Sequence, residues 1–151
     1  MSQSFSNSVM HIVYSTKNRF PFLRDPEIRA ELHRQLGGTS KTLKCPPILV
    51  GGTDDHVHIL ARQARTIALS DWVKEMKRTT SLWIKERDPL LVDFQWQAGY
   101  AGFSVSQSNV DQVVRYIETQ EEHHRRFDFK QEYREFLDRH GMKYDERYMW
   151  D

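Results

Sequence analysis

In the run PILVGGTDDHVHILA, residues 47–61, two β-prone segments are separated by a short polar turn. Residues 47–52 and 56–61 are predicted as strands. The threonine and two aspartates between them are typical turn residues, so the strands should pair as a hairpin. On the second of these strands, two histidines alternate with valine and isoleucine. Because successive side chains of a strand point to opposite faces, we expect a sheet with one apolar face and one face that carries histidines.

The sequence before this hairpin predicts one strand and one helix. Residues 11–16 are rich in β-prone types and are predicted as the first strand. Asp25 and Pro26 then supply an N-cap and a proline at the first helical position, a pattern typical of a helix start. Gly37 and Gly38 follow the apolar stripe of this helix, so we expect the helix to end there.

Two further helices and two short strands are expected after the hairpin. A second helix is predicted over residues 70–86, and short strands are predicted at 94–96 and 103–105. Ser108 and Asp111 have the spacing of a capping box and should open a third helix. This order of elements predicts an α+β ferredoxin-like (RRM-like) sandwich, in which an antiparallel sheet has helices on one face. A tyrosine-bearing helix and a C-terminal tail complete the predicted chain.

Length and composition describe an ordinary globular protein. The chain has 151 residues, which suits one domain. Its 22 basic and 21 acidic residues nearly balance, so any basic patch must be local. Cys45 is the only cysteine, which excludes an internal disulfide and fits a reducing compartment. There is no secretory signal pattern and no apolar run of roughly 20 residues, so we expect a cytoplasmic protein without a membrane partner.

His56 and His58 are candidate metal ligands. Two imidazoles at i and i+2 on one strand share a face and can bind one ion. For an isolated pair, the alternative is that both are polar-face histidines that bond to their neighbours. Asp54 and Asp55 precede the strand and could fix the imidazole tautomers from outside. Two neutral imidazoles with an oxygen ligand and open positions suit Mg²⁺ or Mn²⁺ better than structural zinc.

Tyr116 and Gln120 are the second candidate pair. At i and i+4 on a helix they share a face. One helix could therefore carry both a nucleophile, Tyr116, and a third metal ligand, the amide oxygen of Gln120. The alternative is that Tyr116 is a boundary aromatic with its hydroxyl in water. The sequence shows no obvious general base for a phenol whose ordinary pKa is near 10.

Four ordered motifs match a known family: YSTKNR at 14–19, GG and DHVHIL within 51–60, WQAGYAGFSVS at 96–106, and YIETQ with HH within 116–124. With these residues the sequence resembles the HUH single-tyrosine transposases, which include the insertion-sequence and REP-associated tyrosine transposases. The resemblance covers roughly residues 10–127. It implies a catalytic domain at 1–127 and a C-terminal helical tail at 128–151.

The resemblance also implies residue roles and partners. His56, His58 and Gln120 would bind a divalent metal (Mg²⁺ or Mn²⁺), and Tyr116 would attack DNA to give a 5′-phosphotyrosine intermediate and a free 3′-hydroxyl. The substrate would be single-stranded DNA beside hairpins, which implies a nucleoid-associated protein. A homodimer with composite active sites is implied, with residues 104–109 as the hinge that places the tyrosine helix in trans or in cis.

Single-stranded DNA binding requires cations along a groove. The candidate basic residues are Lys17, Arg19, Lys77, Arg78 and Arg115, with Arg125 and Arg126 beside the tyrosine helix. For each of them, ordinary surface solvation is the alternative.

Two other functions compete with an endonuclease and strand-transferase. A host-retained hairpin-DNA-binding protein of the same fold would lack transposition activity, and its sequence should have lost the tyrosine or a histidine. An RNA-binding module of the same fold should expose aromatic residues on the central strands, where this chain has histidines. Fold alone does not separate the three functions, so the site must decide.

Overall fold

The computed structural model describes residues 2–125 and 127–151, so Arg126 lies outside the described residues. Four strands form one antiparallel sheet in the spatial order β2-β3-β1-β4. They are β1 (Val9–Ser15), β2 (Pro47–Gly52), β3 (His56–Arg62) and β4 (Ala101–Val105). The predicted hairpin of β2 and β3 and the predicted ferredoxin-like order are both confirmed.

Helices α1 (Pro26–Thr42) and α2 (Leu69–Arg87) cover the apolar face of the sheet. Ile12, Val57 and Ile59 point from the central strands into this layer, as the alternation predicts. They pack among fully buried residues of both helices, namely Leu32, Leu36, Trp72 and Met76. This core fixes the central strands, so the opposite face presents its side chains from a rigid base.

The start of α1 is as predicted, but its predicted end is wrong. Asp25 caps the helix by accepting the Glu27 backbone N–H at 2.9 Å. The helix continues past Gly37 and Gly38, where a helical glycine costs only about 1 kcal/mol. Ser40, in the continuation, is buried and bonds both the Cys45 carbonyl and the Trp72 indole N–H. These tertiary contacts stabilise the helix beyond the glycines.

Two other local predictions are also wrong. Residues 94–96 form no strand, and only an isolated bridge joins Trp96 to Thr16. Ser108 does not cap the third helix, because it lies in a 3₁₀ turn and its hydroxyl pairs with Ser106. The described chain has a capping box elsewhere, between Asp128 and Gln131. It follows that a capping sequence does not locate a helix start when a tighter turn satisfies the same backbone.

The histidine face of the sheet is covered by α3 (Val110–Glu118), α4 (Gln120–His123) and α5 (Phe129–Arg139). Helix α3 packs against β2 through Ile117, and α5 packs through Phe129, Tyr133 and Phe136 against Val13 and β4. The polar face predicted for the sheet is therefore largely closed from solvent. Within residues 2–125 and 127–151, no helix has the length and apolarity to cross a membrane.

Candidate active site

His56 and His58 lie side by side on β3, and both side chains are completely buried. The strand runs between β1 and β2, with His58 opposite Val13 and His56 opposite Ser15. Their ring centroids are 5.1 Å apart. The structure therefore brings the two predicted imidazoles together on the predicted face.

Both ring nitrogens of His56 face oxygen acceptors. Nδ1 lies 2.8 Å from Asp55 Oδ1, the contact expected for Asp55, and 2.9 Å from the Thr53 hydroxyl. Nε2 lies 3.1 Å from Gln120 Oε1 and 3.5 Å from Glu132 Oε1. Burial acts to lower the pKa of His56, but the Asp55 hydrogen bond and the charge of Glu132 raise it above its ordinary value. An imidazole between acceptors on both sides needs a proton or a metal ion at Nε2.

His58 is held by a histidine that the sequence reasoning missed. Its Nδ1 lies 2.8 Å from Nε2 of His11, which is buried on β1, and its Nε2 lies 3.1 Å from Glu132 Oε1. Burial lowers the pKa of His58 despite the opposing charge of Glu132. A neutral His58 can donate from Nδ1 to His11 and keep the Nε2 lone pair for an ion. Strand alternation on β1 could have placed His11 on this face.

Tyr116 reaches the histidines of its own chain from α3. Its hydroxyl donates to Glu132 Oε2, and its ring lies edge-on to His58 with centroids 5.8 Å apart. The side chain is only partly buried. Burial, reinforced by the negative charge of Glu132, raises the pKa of Tyr116 above its ordinary value, so the resting phenol is neutral.

Gln120 meets His56, but not from the single continuous helix that was predicted. The chain leaves helical geometry at Thr119, so α3 and α4 are separate elements. Gln120 is buried, and its side-chain amide donates to the Tyr116 carbonyl at 3.3 Å while its Oε1 faces His56. The break after Glu118 therefore sets how far Gln120 extends toward the sheet.

Glu132 lies at the centre of the site, and the sequence did not predict it. It comes from α5, 74 positions from His58, and only 1% of its surface is exposed. Burial acts to raise the pKa of its carboxyl, but the surrounding histidines, His58 first, lower it well below its ordinary value. Sequence spacing gives no hint of this contact, because it depends on how the C-terminal helix packs.

The predicted DNA contacts lie in different surroundings. Lys77 is part-buried, donates to the carbonyls of Gln97, Ala98 and Gly99, and has its pKa lowered to about 8 by burial. Arg78 is exposed and pairs with Glu75. The others are Lys17, which lines an open cavity of about 340 Å³, Arg19, which lies 5.5 Å from the Trp150 ring, and Arg115, which is exposed on α3.

A cavity of about 440 Å³ opens beside the histidine site. His124 and Asp55 line its inner side, and both contact the site residues directly. Three arginines, Arg24, Arg29 and Arg125, lie around it. Asp54, Asp55, Glu121 and Asp128 also line it, and Glu121 pairs with Arg29, so the cavity has charges of both signs close to the candidate metal ligands.

Two solved structures resemble this fold. One is a candidate transposase from Deinococcus radiodurans R1, with a TM-score of 0.64 and 23% identity over 80% of this chain and 98% of that chain. The other is a REP-associated tyrosine transposase bound to a REP hairpin, with a TM-score of 0.53 and 12% identity over 80% of this chain and 70% of that chain. At these identities the likeness concerns the fold.

The sequence comparisons assign the family. No curated protein matches the chain. The family model described as "Transposase IS200 like" matches residues 4–120, which include Tyr116, both histidines of β3 and Gln120. The chain belongs to the IS200-like transposase family, whose members cut and transfer DNA.

Proposed function

We propose that this transposase nicks and rejoins single-stranded DNA with Tyr116 as the nucleophile and a divalent metal (Mg²⁺ or Mn²⁺) held by His56, His58 and Gln120. The observation that carries the proposal is the convergence of these four side chains, from β3, α3 and α4, at one buried site. A structural role alone does not require a phenol, two imidazoles and a carboxamide to meet on the same face.

The donor set fits such an ion. His56 Nε2 faces only oxygen acceptors, an arrangement that a bound cation satisfies. The outer nitrogens of both histidines are fixed, His56 by Asp55 and His58 by His11, as is usual for imidazole ligands. When bound, a divalent cation would polarise the phosphate oxygens and stabilise the charge that develops on them.

Tyr116 supplies the covalent step. Its oxygen attacks the phosphorus, the bond from phosphorus to the 3′ oxygen breaks, and a 5′-phosphotyrosine ester remains on the protein. The phenol loses its proton, and the departing 3′ oxygen takes one up to become a free hydroxyl. Because the ester preserves the energy of the broken bond, a 3′-hydroxyl can reverse the step without ATP.

The DNA partner is proposed to be a single strand recognised beside a hairpin. The REP-associated neighbour is bound to a hairpin, and this chain has the same fold. Exposed cations such as Arg115 and Lys17 would follow the phosphates, and the arginines of the cavity beside the site would contact the strand there. Such a protein would work at the nucleoid.

A homodimer with composite active sites is also proposed. In the structure Tyr116 lies beside the histidines of its own chain. Exchange of α3 between two chains, about the segment 104–109, would rebuild the same contacts between subunits, as in domain swapping. We retain the division into a catalytic domain at 1–127 and a helical tail at 128–151 as a proposal.

The test is covalent capture of DNA. Purified protein with Mn²⁺ and a hairpin-bearing single-stranded oligonucleotide should give a protein–DNA adduct on a denaturing gel. Tyr116→Phe should abolish the adduct with little loss of binding, whereas Tyr148→Phe, at an exposed tyrosine, should leave it unchanged. An adduct with Tyr116→Phe rejects the nucleophile. Binding without cleavage by the wild type would support the alternative, a host-retained hairpin-binding protein.

A further inference from the structure

We propose that Glu132 is a ligand of the same metal ion and the positioning residue of the nucleophile, with a separate carboxylate oxygen for each task. Oε1 would bind the ion together with His56 and His58, and Oε2 would hold the Tyr116 hydroxyl beside it. The inference rests on the proposed function and adds to it a residue from α5, outside the segment 4–120 that the family model matches.

The position of Oε1 is that of a ligand. Glu132 Oε1 lies 3.1 Å from His58 Nε2 and 3.5 Å from His56 Nε2. Gln120 Oε1 lies 3.1 Å from the same His56 Nε2 atom. Ligands about 2.1 Å from a small divalent ion lie about 3.0 Å apart at right angles and about 3.4 Å apart in a tetrahedron. The separations between these donor atoms are therefore those of neighbours in one coordination sphere.

The second carboxylate oxygen, Oε2, contacts the proposed nucleophile. It accepts the Tyr116 hydroxyl and lies 3.2 Å from His124 Nε2. His123 Nε2 lies 3.5 Å away, and among the described residues it has no hydrogen-bond partner. The Tyr116 phenol and the His124 imidazole thus fix the second oxygen, so the carboxylate links the nucleophile to the ligand cluster.

Burial adds an energetic argument. A carboxylate with 1% exposure is costly unless cations compensate its charge. Its neighbours at Oε1 are the imidazoles of His56 and His58, and among the described residues no lysine or arginine pairs with this carboxylate. A divalent ion among these groups would supply the missing positive charge. Four protein donors would also leave two positions of an octahedral ion for the substrate.

Helix α5 is also held in place by contacts other than those of the Glu132 carboxylate. The capping box of Asp128 and Gln131 begins α5 one turn before Glu132. Phe129 and Phe136, one turn to either side of Glu132, are buried against the sheet. The position of the Glu132 carboxylate is therefore fixed before a metal ion binds.

Metal affinity is the first test, measured on the full chain by Mn²⁺ titration with electron paramagnetic resonance. Glu132→Gln keeps the shape but removes the charge and should weaken Mn²⁺ binding by about tenfold or more. Glu135→Gln makes the same change at an exposed position of the same helix and should bind like the wild type. The visible spectrum of bound Co²⁺ should change with Glu132→Gln alone. Equal or tighter Mn²⁺ binding by Glu132→Gln overturns the inference.

Mn²⁺ binding by the variants distinguishes failure of the proposed function from failure of this inference. If the wild type binds no Mn²⁺, or if His56→Ala binds as well as the wild type, the metal site itself is rejected. If His56→Ala loses binding and Glu132→Gln does not, only the role of Glu132 is rejected. Thermal unfolding checks that each variant folds. Glu132→Asp, which keeps the charge on a shorter side chain, gives a second comparison and should bind with intermediate affinity.

The positioning role has its own readout. At saturating Mn²⁺, Glu132→Gln should form the adduct at least tenfold more slowly than the wild type, with an unchanged dissociation constant for DNA. A rate restored fully by saturating metal contradicts positioning, because only metal affinity would then have been lost.

Discussion

Gly51 on β2 lies directly beneath Ile117 on α3: a Cβ at position 51 would come within 2.6 Å of the Ile117 Cγ2 atom and 3.3 Å of its carbonyl oxygen. The absence of a side chain at Gly51 allows α3 to lie closely on the sheet. Ile117 follows Tyr116 directly, so this contact sets the height of the phenol above the histidines. The position of the nucleophile therefore depends on a glycine that has no chemistry of its own.

Gly51→Ala should displace α3 and impair both stability and catalysis. The added methyl overpacks the contact with Ile117, which typically costs about 1–3 kcal/mol in the free energy of unfolding. Adduct formation should slow more than DNA binding weakens, since the phenol moves relative to the ligands. Gly38→Ala is the matched control, because a Cβ there meets nothing within 4 Å and should stabilise α1 by up to about 1 kcal/mol. Denaturant unfolding and gel assays measure the two effects. Wild-type behaviour of Gly51→Ala would contradict this account.

His33 should make the protein sensitive to acid. Its Nε2 is buried without a partner among the described residues, and burial, with the charge of nearby Arg29, lowers its pKa from 6.5 to about 4. Between pH 6.5 and 4, His33 is therefore protonated in the unfolded chain but stays neutral in the folded protein. The stability contributed by neutral His33 is complete above pH 6.5 and is lost as the pH falls toward 4.

The measurement is the free energy of unfolding against pH, in EDTA to exclude metal effects. The wild type should lose up to about 1.4 kcal/mol per pH unit more than His33→Gln between pH 6.5 and 4. His33→Asn, a second neutral replacement, should show the same reduced slope as His33→Gln. Parallel curves for the wild type and His33→Gln would show that His33 titrates alike in both states.

Lys77 and Arg115, both predicted DNA contacts, should behave differently when neutralised. Lys77 donates to three carbonyls, so Lys77→Gln should cost about 1–3 kcal/mol of stability and leave the salt dependence of DNA binding unchanged. Arg115→Gln should preserve stability and reduce the slope of log affinity against log salt by about 0.7–1. Fluorescence anisotropy with a hairpin oligonucleotide tests both. The opposite pattern would assign the phosphate contact to Lys77.

The sequence predicted the positions of those site residues that depend on the local periodicity of a strand or a helix. Alternation on β3 placed His56 and His58 on the face opposite the apolar core, and the structure confirms this placement. The spacing of Tyr116 and Gln120 put both near these histidines, although the helix between them breaks. Glu132 could not be found in this way, because no period links β3 to a helix 74 residues later. Its place follows from tertiary packing of α5, which a local pattern does not encode.

Mixing two inactive variants should show whether Tyr116 acts in trans. Tyr116→Phe keeps the histidines and His56→Ala keeps the tyrosine, so an exchanged dimer that contains one subunit of each has one complete site. We expect the mixture to regain up to about a quarter of wild-type adduct formation, since half of the dimers would be mixed and each would have one of its two sites intact. The chains should be mixed under conditions that allow subunit exchange, with each variant alone as the control. A mixture as inactive as its components would mean that the tyrosine serves its own chain, the arrangement in which Tyr116 meets Glu132 in the structure.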